Sequence, residues 1–289
     1  MNQEPTARGA APPIPHSSLR VLITGAAGAI GRTLHRGLAG RYALLRLVDI
    51  DPVAASGAGE EAVQCDVTDL QAVSAAMQGI DCVVHLAGVP REDTWEALLA
   101  NNIVGTYNVF EAARTQGVRR MIYASSNHVI GYYGAGQEVG TADPPRPDSR
   151  YGVSKVFGEA LGRLYADKHG LSVACLRIGS FRDRPEDERQ LATWVSPRDM
   201  TALVRCAVEA PAFHYLVLYG ISANTRARWG NPDALRIGYV PQDDAEAYAA
   251  QVAGKTPPAG DPARVFHGGS FCAQEWTGDL ERILAIRNS

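Results

Sequence analysis

The amino-acid sequence predicts an α/β protein with a doubly wound parallel sheet, and three observations carry that prediction. Short apolar runs rich in β-branched residues recur along the chain, and stretches with helical apolar spacing separate them. The first run ends in a glycine-rich turn that opens a helix. Parallel neighbours need crossovers, so strands alternating with helices give a sheet covered on both faces.

The elements follow in order. Arg20–Thr24 (RVLIT) reads as a buried strand, Ile30–Leu38 as a helix, and Ala43–Val48 as a second strand ending at Asp49. Val63–Cys65 is a short third strand, Leu70–Met77 a helix, and Asp81–Ala87 (DCVVHLA) a fourth strand. Apolar spacing over Thr94–Thr115 predicts one long helix before the fifth strand, Arg120–Ala124. A second long helix, Tyr151–His169, precedes strand Ser172–Arg177. Pro197 opens a helix to Glu209, since proline is tolerated at a first helical position, and His214–Tyr219 is the last strand. From Asn224 onward turn signals dominate, with one helix over Asp244–Ala253.

Bulk properties exclude several classes. The net charge of −3, with no cluster of Lys and Arg, argues against a nucleic-acid surface and against an anionic membrane. Five cysteines (Cys65, Cys82, Cys175, Cys206, Cys272) are odd in number and widely spaced, without a Cys-x-x-Cys pair. Neither a disulfide framework nor a metal site is expected, and a reducing compartment fits. Residues 1–18 lack the apolar core of a signal peptide, and no run reaches the length of a membrane span, so a cytoplasmic location is expected.

Gly25-Ala-Ala-Gly28-Ala29-Ile30-Gly31 lies between the first strand and the first helix. In such a loop the first glycine permits the tight turn, the second lets backbone approach a pyrophosphate, and the third lets the helix pack on the strand. The phosphates then meet the free N–H groups of the helix N-terminus. Asp49 ends the next strand 24 residues after Gly25, where a carboxylate binds the adenosine ribose hydroxyls and repels a 2′-phosphate. NAD is therefore expected over NADP. Asp66 and Val67 are placed at the adenine, and Leu86, Ala87 and Gly88 at the ribose–nicotinamide side.

Tyr151-Gly-Val-Ser-Lys155 sets a phenol and an ammonium one helical turn apart. The cation is expected to lower the phenol pKa, so that the phenolate accepts a proton from an alcohol while hydride leaves for the cofactor. Both residues also count among the cofactor contacts, the lysine through the nicotinamide ribose. Ser126, 25 residues upstream of Tyr151, offers a hydroxyl to the reacting oxygen. The chain thus divides into a flexible tail (1–18), a Rossmann-type dinucleotide-binding and catalytic domain (19–220), and a small C-terminal cap (221–289) contributing to the substrate site.

With these residues in view, the chain resembles the extended short-chain dehydrogenase/reductases, and among them the uronate dehydrogenases. The matching segments are Thr24–Gly31 (TGAAGAIG), Asn102–Arg114, Ala124–Tyr133 (ASSNHVIGYY), Tyr151–Glu159 (YGVSKVFGE), Arg177–Ser180 (RIGS), Arg189–Trp194 (RQLATW) and His267–Phe271 (HGGSF). The resemblance implies oxidation of the C1 hydroxyl of D-glucuronate or D-galacturonate to an aldarolactone with NAD and without a metal. It implies Tyr151 as base, Lys155 as its partner, and Ser126, Asn127, His128 and Ser180 at the sugar. Arg189 would take the sugar carboxylate; by sequence alone Arg182, Arg184 and Arg198 are equal candidates. Asn102 is expected to bond backbone and brace the site. Where the family often places a substrate-binding serine, this chain has Pro90, which offers no donor and leaves the gluco or galacto preference open. A homo-oligomer is implied by the resemblance alone.

Two other readings are weighed. A nucleotide-sugar epimerase or dehydratase on the same fold would usually need more chain than residues 220–289 to hold its nucleotide. It would keep NAD bound and release no net NADH. A non-catalytic NAD-sensing protein would have little reason to keep Ser126, Tyr151 and Lys155 together.

Overall fold

The computed structural model describes residues 15–285. Its strands are β1 (Arg20–Thr24), β2 (Leu44–Asp49), β3 (Glu60–Gln64), β4 (Cys82–His85), β5 (Arg120–Ser126), β6 (Ser172–Ile178), β7 (Ser180–Phe181), β8 (Trp194–Val195) and β9 (Tyr215–Gly220). Seven of them form one sheet in the order β3-β2-β1-β4-β5-β6-β9, and every neighbouring pair is parallel. β7 and β8 pair only with each other. The order reverses between β1 and β4, which opens a crevice at the carboxyl ends of these strands, where open α/β sheets bind ligands.

The helices that position the site are α1 (Ala29–Leu38), α2 (Leu70–Ala76), α3 (Trp95–Leu98), α4 (Gly105–Thr115), α5 (Arg150–His169), α6 (Gln190–Thr193) and α7 (Pro197–Glu209). Alternation along the strands sends Val21 and Ile23 to one face, against Leu34, Leu38, Met200 and Leu203 of α1 and α7. Leu22 and Val83 go to the other, against Val73, Phe110 and Tyr165 of α2, α4 and α5. Both faces are covered, as the alternating pattern requires.

Four expectations need adjusting. The helix expected over Thr94–Thr115 is interrupted by a π-helical segment, Leu99–Val104, between α3 and α4. The third strand begins three residues early, because β3 is an edge strand whose polar first half, Glu60-Glu61-Ala62, carries no apolar run. β5 runs on to Ser126, so that serine ends the strand instead of following it. The helix expected over Asp244–Ala253 forms as a 3-10 turn, Ala245–Tyr248, followed by one α turn, Ala249–Val252. Of the expected tail, residues 1–14 lie outside the described residues, and His16–Ser18 form a 3-10 turn. Among the described residues no helix is long and apolar enough to cross a membrane, and no cluster of His, Cys, Asp and Glu could hold a metal ion. All five thiols are free.

Candidate active site

The glycine-rich loop joins β1 to α1 at the mouth of the crevice. Gly25 has φ +72°, and a Cβ there would lie 2.7 Å from the Ala87 amide nitrogen. At Gly31 a Cβ would lie 2.2 Å from the Gly25 carbonyl, so the helix reaches the strand only through glycine. No side chain caps α1 at Gly28, which leaves the N–H groups of Ala29, Ile30 and Gly31 open to an anion. Asp49 braces the loop, its Oδ2 accepting from Ala27 N at 2.8 Å. Asp66 accepts from Thr68 N at 2.8 Å, and Val67 is buried against Gly105. The Thr24 hydroxyl accepts from Leu86 N and Ala87 N, both at 3.2 Å, and its oxygen lies 2.8 Å from His85 Nδ1. The residues assigned to a dinucleotide therefore stand at the carboxyl ends of β1, β2, β3 and β4. A closely approachable glycine backbone and an uncapped helix end fit its phosphates.

The π-helical segment serves the turn after β4. It carries Asn102, whose Oδ1 accepts from Val89 N (2.8 Å) while Nδ2 donates to Val89 O and Ser154 Oγ (both 3.0 Å). One side chain thus ties the segment after β4 to α5. π-Helical turns occur often at functional sites, where they re-aim a side chain at some cost in regularity.

Ser149 starts α5 by accepting from Gly152 N, and Glu92 reaches across to accept from the N–H groups of Arg150 and Tyr151. This fixes the first turn, on which Tyr151 is buried. Lys155 follows one turn later, its Nζ 5.5 Å from the Tyr151 ring centroid and donating to Ala124 O at 2.9 Å. Against the expected lowering, the phenol pKa is raised. Burial pushes Tyr151 up to about 12, and a hydrogen bond with Ser126 only partly opposes it. Burial likewise pulls Lys155 down to about 8. Desolvation disfavours the charged form of each.

Arg189 precedes α6. Its Nε donates to His267 O at 2.7 Å and Nη1 approaches Ser180 Oγ at 3.5 Å. The Asn127 amide is satisfied at both ends when its nitrogen donates to Ile178 O (3.1 Å) and its oxygen accepts from Arg189 Nη2 (2.9 Å). Asn127 is thus occupied in holding the arginine. Ser180 also pairs with Thr193 at 2.9 Å. Among the described residues no carboxylate lies within ion-pair distance of Arg189; Asp187 and Asp148 act on it only from farther away, and burial lowers its pKa. His128 presents its ring edge-on to Tyr151, with centroids 5.7 Å apart. Tyr151, Lys155, Ser126, His128 and Arg189 thus belong to one connected site. Arg182 and Arg198 instead pair with Glu186 and Asp243, and Arg184 is exposed.

The NAD dependent epimerase/dehydratase family matches residues 21–209. The chain belongs to that family. Within it the chain falls among the uronate dehydrogenases: the enzyme from Pseudomonas putida is 42% identical over 87% of this chain and 95% of its own length. The crystal structure of a point mutant of uronate dehydrogenase from Agrobacterium tumefaciens complexed with NAD is 43% identical, covers 88% of this chain and 97% of that one, and superposes with a TM-score of 0.84. An L-arabinose 1-dehydrogenase (NAD(P)(+)) from Haloferax volcanii is also 40% identical over 78% of this chain and 97% of its own. Identity at this level therefore spans more than one sugar within the NAD dependent epimerase/dehydratase family.

Sequence reasoning missed part of this family member's site. Asp148 bonds His128, His267 holds Arg189 through its carbonyl, and Phe271 stacks on His128 with centroids 3.8 Å apart. The HGGSF segment was visible as a motif, yet its purpose depends on a fold that brings residue 267 to residue 189. A stability prediction also arises here. Lys155 has a folded pKa below its ordinary value of 10.5, so keeping it charged costs stability below about pH 8; the cost shrinks between there and pH 10.5 and is absent above. Lys155→Met should stabilise the protein at pH 7 by about 3 kcal/mol, less about 1 kcal/mol for the Ala124 carbonyl left without its donor. Thermal unfolding of the two proteins at neutral pH and above pH 10 checks this. A gain of equal size at both would contradict it.

Proposed function

We propose that this protein oxidises the C1 hydroxyl of a cyclic uronate, D-glucuronate or D-galacturonate, to the aldarolactone with NAD as acceptor. The observation that carries the reading is the Arg189 guanidinium, part-buried, held by Asn127 between Ser126 and His128, and without a carboxylate partner among the described residues. A largely desolvated cation without a counter-ion is costly, and a substrate carboxylate relieves that cost through paired N–H···O bonds.

Glycines 25, 28 and 31 with the open end of α1 would hold the pyrophosphate, Asp49 the adenosine ribose, and Asp66, Val67 and Leu86–Gly88 the adenine and nicotinamide sides. NAD, when bound, supplies the acceptor for the hydride that leaves C1. Tyr151 takes the proton of the C1 hydroxyl as that C–H bond breaks. Lys155, whose ammonium stands over the same ring, stabilises the phenolate that accepts this proton. Ser126, its oxygen fixed by the His128 N–H at 3.2 Å, steadies the reacting oxygen as its charge changes. Arg189, held by Asn127, Ser180 and the His267 carbonyl, fixes the far end of the sugar.

A side-by-side panel tests the reading. NADH should form with glucuronate and galacturonate, and at least about a hundredfold less efficiently with glucose, galactose or arabinose, because neutral sugars leave the arginine unpaired. Equal efficiency with uronates and neutral sugars would overturn it.

A further inference from the structure

We propose that Asp148 is a positioning residue for the sugar site: its buried carboxylate fixes the tautomer and ring plane of His128, so that Nε2 faces the substrate as a hydrogen-bond acceptor. This rests on the uronate reading above for the identity of the group that Nε2 meets.

The Asp148 side chain is fully buried and its Oδ2 lies 2.7 Å from His128 Nδ1. Its other oxygen accepts from the Ser149 hydroxyl at 2.8 Å, and the Cys272 thiol approaches Oδ2 at 3.8 Å. An ionised carboxylate only accepts, so the proton of a neutral imidazole sits on Nδ1 and the lone pair on Nε2. Among the described residues nothing bonds Nε2. The ring cannot swing away, since Phe271 stacks on one face and Tyr151 meets it edge-on.

The carboxylate itself is held in a slot. A Cβ at Gly131 or at Gly268 would each lie 1.8 Å from Asp148 Oδ2, and the one at Gly131 would also lie 2.7 Å from Asp148 Cβ. Gly268 N donates to Gly131 O at 2.9 Å, which closes the two glycines around it. Three segments far apart in the chain (Ser126–Gly131, Asp148–Ser149 and His267–Cys272) therefore converge on one carboxylate that, among the described residues, no Lys or Arg neutralises within ion-pair distance. A fold has little reason to bury an acid this way for stability alone, because its desolvation is costly. Orienting the imidazole that lines the reaction centre gives it a purpose.

The test reads the imidazole directly. In protein labelled with 15N at histidine, long-range 1H–15N spectra should show the His128 proton on Nδ1. Asp148→Asn is isosteric and fits between the glycines. Because Ser149 donates to the outer oxygen, the amide NH2 faces Nδ1, and the ring proton should move to Nε2. The same variant should raise the uronate KM on the order of tenfold, with the NAD dissociation constant unchanged. In a His128→Gln background Asp148→Asn should add no further loss. A proton on Nε2 in the unsubstituted protein overturns the proposal without any variant, as does an Asp148→Asn loss of the same size with and without His128. The spectra need no substrate, so a failed uronate assay with the expected tautomers would sink the substrate reading and leave the positioning role standing.

Discussion

Replacing Arg189 with methionine should lower kcat/KM for uronates by about 30-fold to several thousand-fold, the range expected when one partner of a buried, hydrogen-bonded charge pair is removed. Turnover of neutral sugars should stay the same or improve, so the ratio between the two substrate classes collapses. Methionine keeps most of the volume. It also removes a desolvated cation, so the fold should tolerate it despite the lost bond to the His267 carbonyl. Arg189→Lys should fall in between, because an ammonium cannot present the planar fork that matches a carboxylate. Steady-state kinetics with glucuronate and glucose on the three proteins give the answer. A uniform loss across both sugars would mean that the arginine shapes the site without reading the carboxylate.

Tyr151→Phe should reduce kcat by about a hundredfold to ten-thousandfold, the usual contribution of a positioned acid or base. The ring stays, together with its packing on His128 and Phe271, and NAD binding should be unaffected. Burial holds the phenol up to about 12. The Lys155 ammonium beside the ring favours the phenolate that takes the substrate proton. Titration by ultraviolet difference against the phenylalanine variant should accordingly show no ionisation of Tyr151 below the ordinary tyrosine range in the unliganded protein. A retained kcat in Tyr151→Phe would remove the phenol from the chemistry.

Much of this site is legible in the sequence because its parts are local. A glycine loop between a strand and a helix, an acid at the end of the next strand, and a phenol and an ammonium at helical spacing each declare themselves within a few residues. Asp148 does not, since it follows a proline-rich stretch and its partner His128 lies twenty residues away. His267 meets Arg189 across 78 residues, a contact that no periodicity encodes. The π-helical segment is hidden for another reason: nothing in Leu99-Ala-Asn-Asn-Ile-Val104 distinguishes a widened helix from a regular one, and only the tertiary bonds of Asn102 reveal what the widening serves. The edge strand β3 is half legible because an exposed strand has no need of a continuous apolar run. The phenol pKa is not legible, because sequence shows the ammonium but not the burial that raises it.

The most direct measurement is a crystal structure with NADH and the aldarolactone product. The account predicts the product carboxylate on the Arg189 guanidinium in paired hydrogen bonds, and the C1 oxygen within hydrogen-bond reach of Tyr151 and Ser126. A product carboxylate turned to solvent or bound by another side chain, with Arg189 still unpaired, would contradict it.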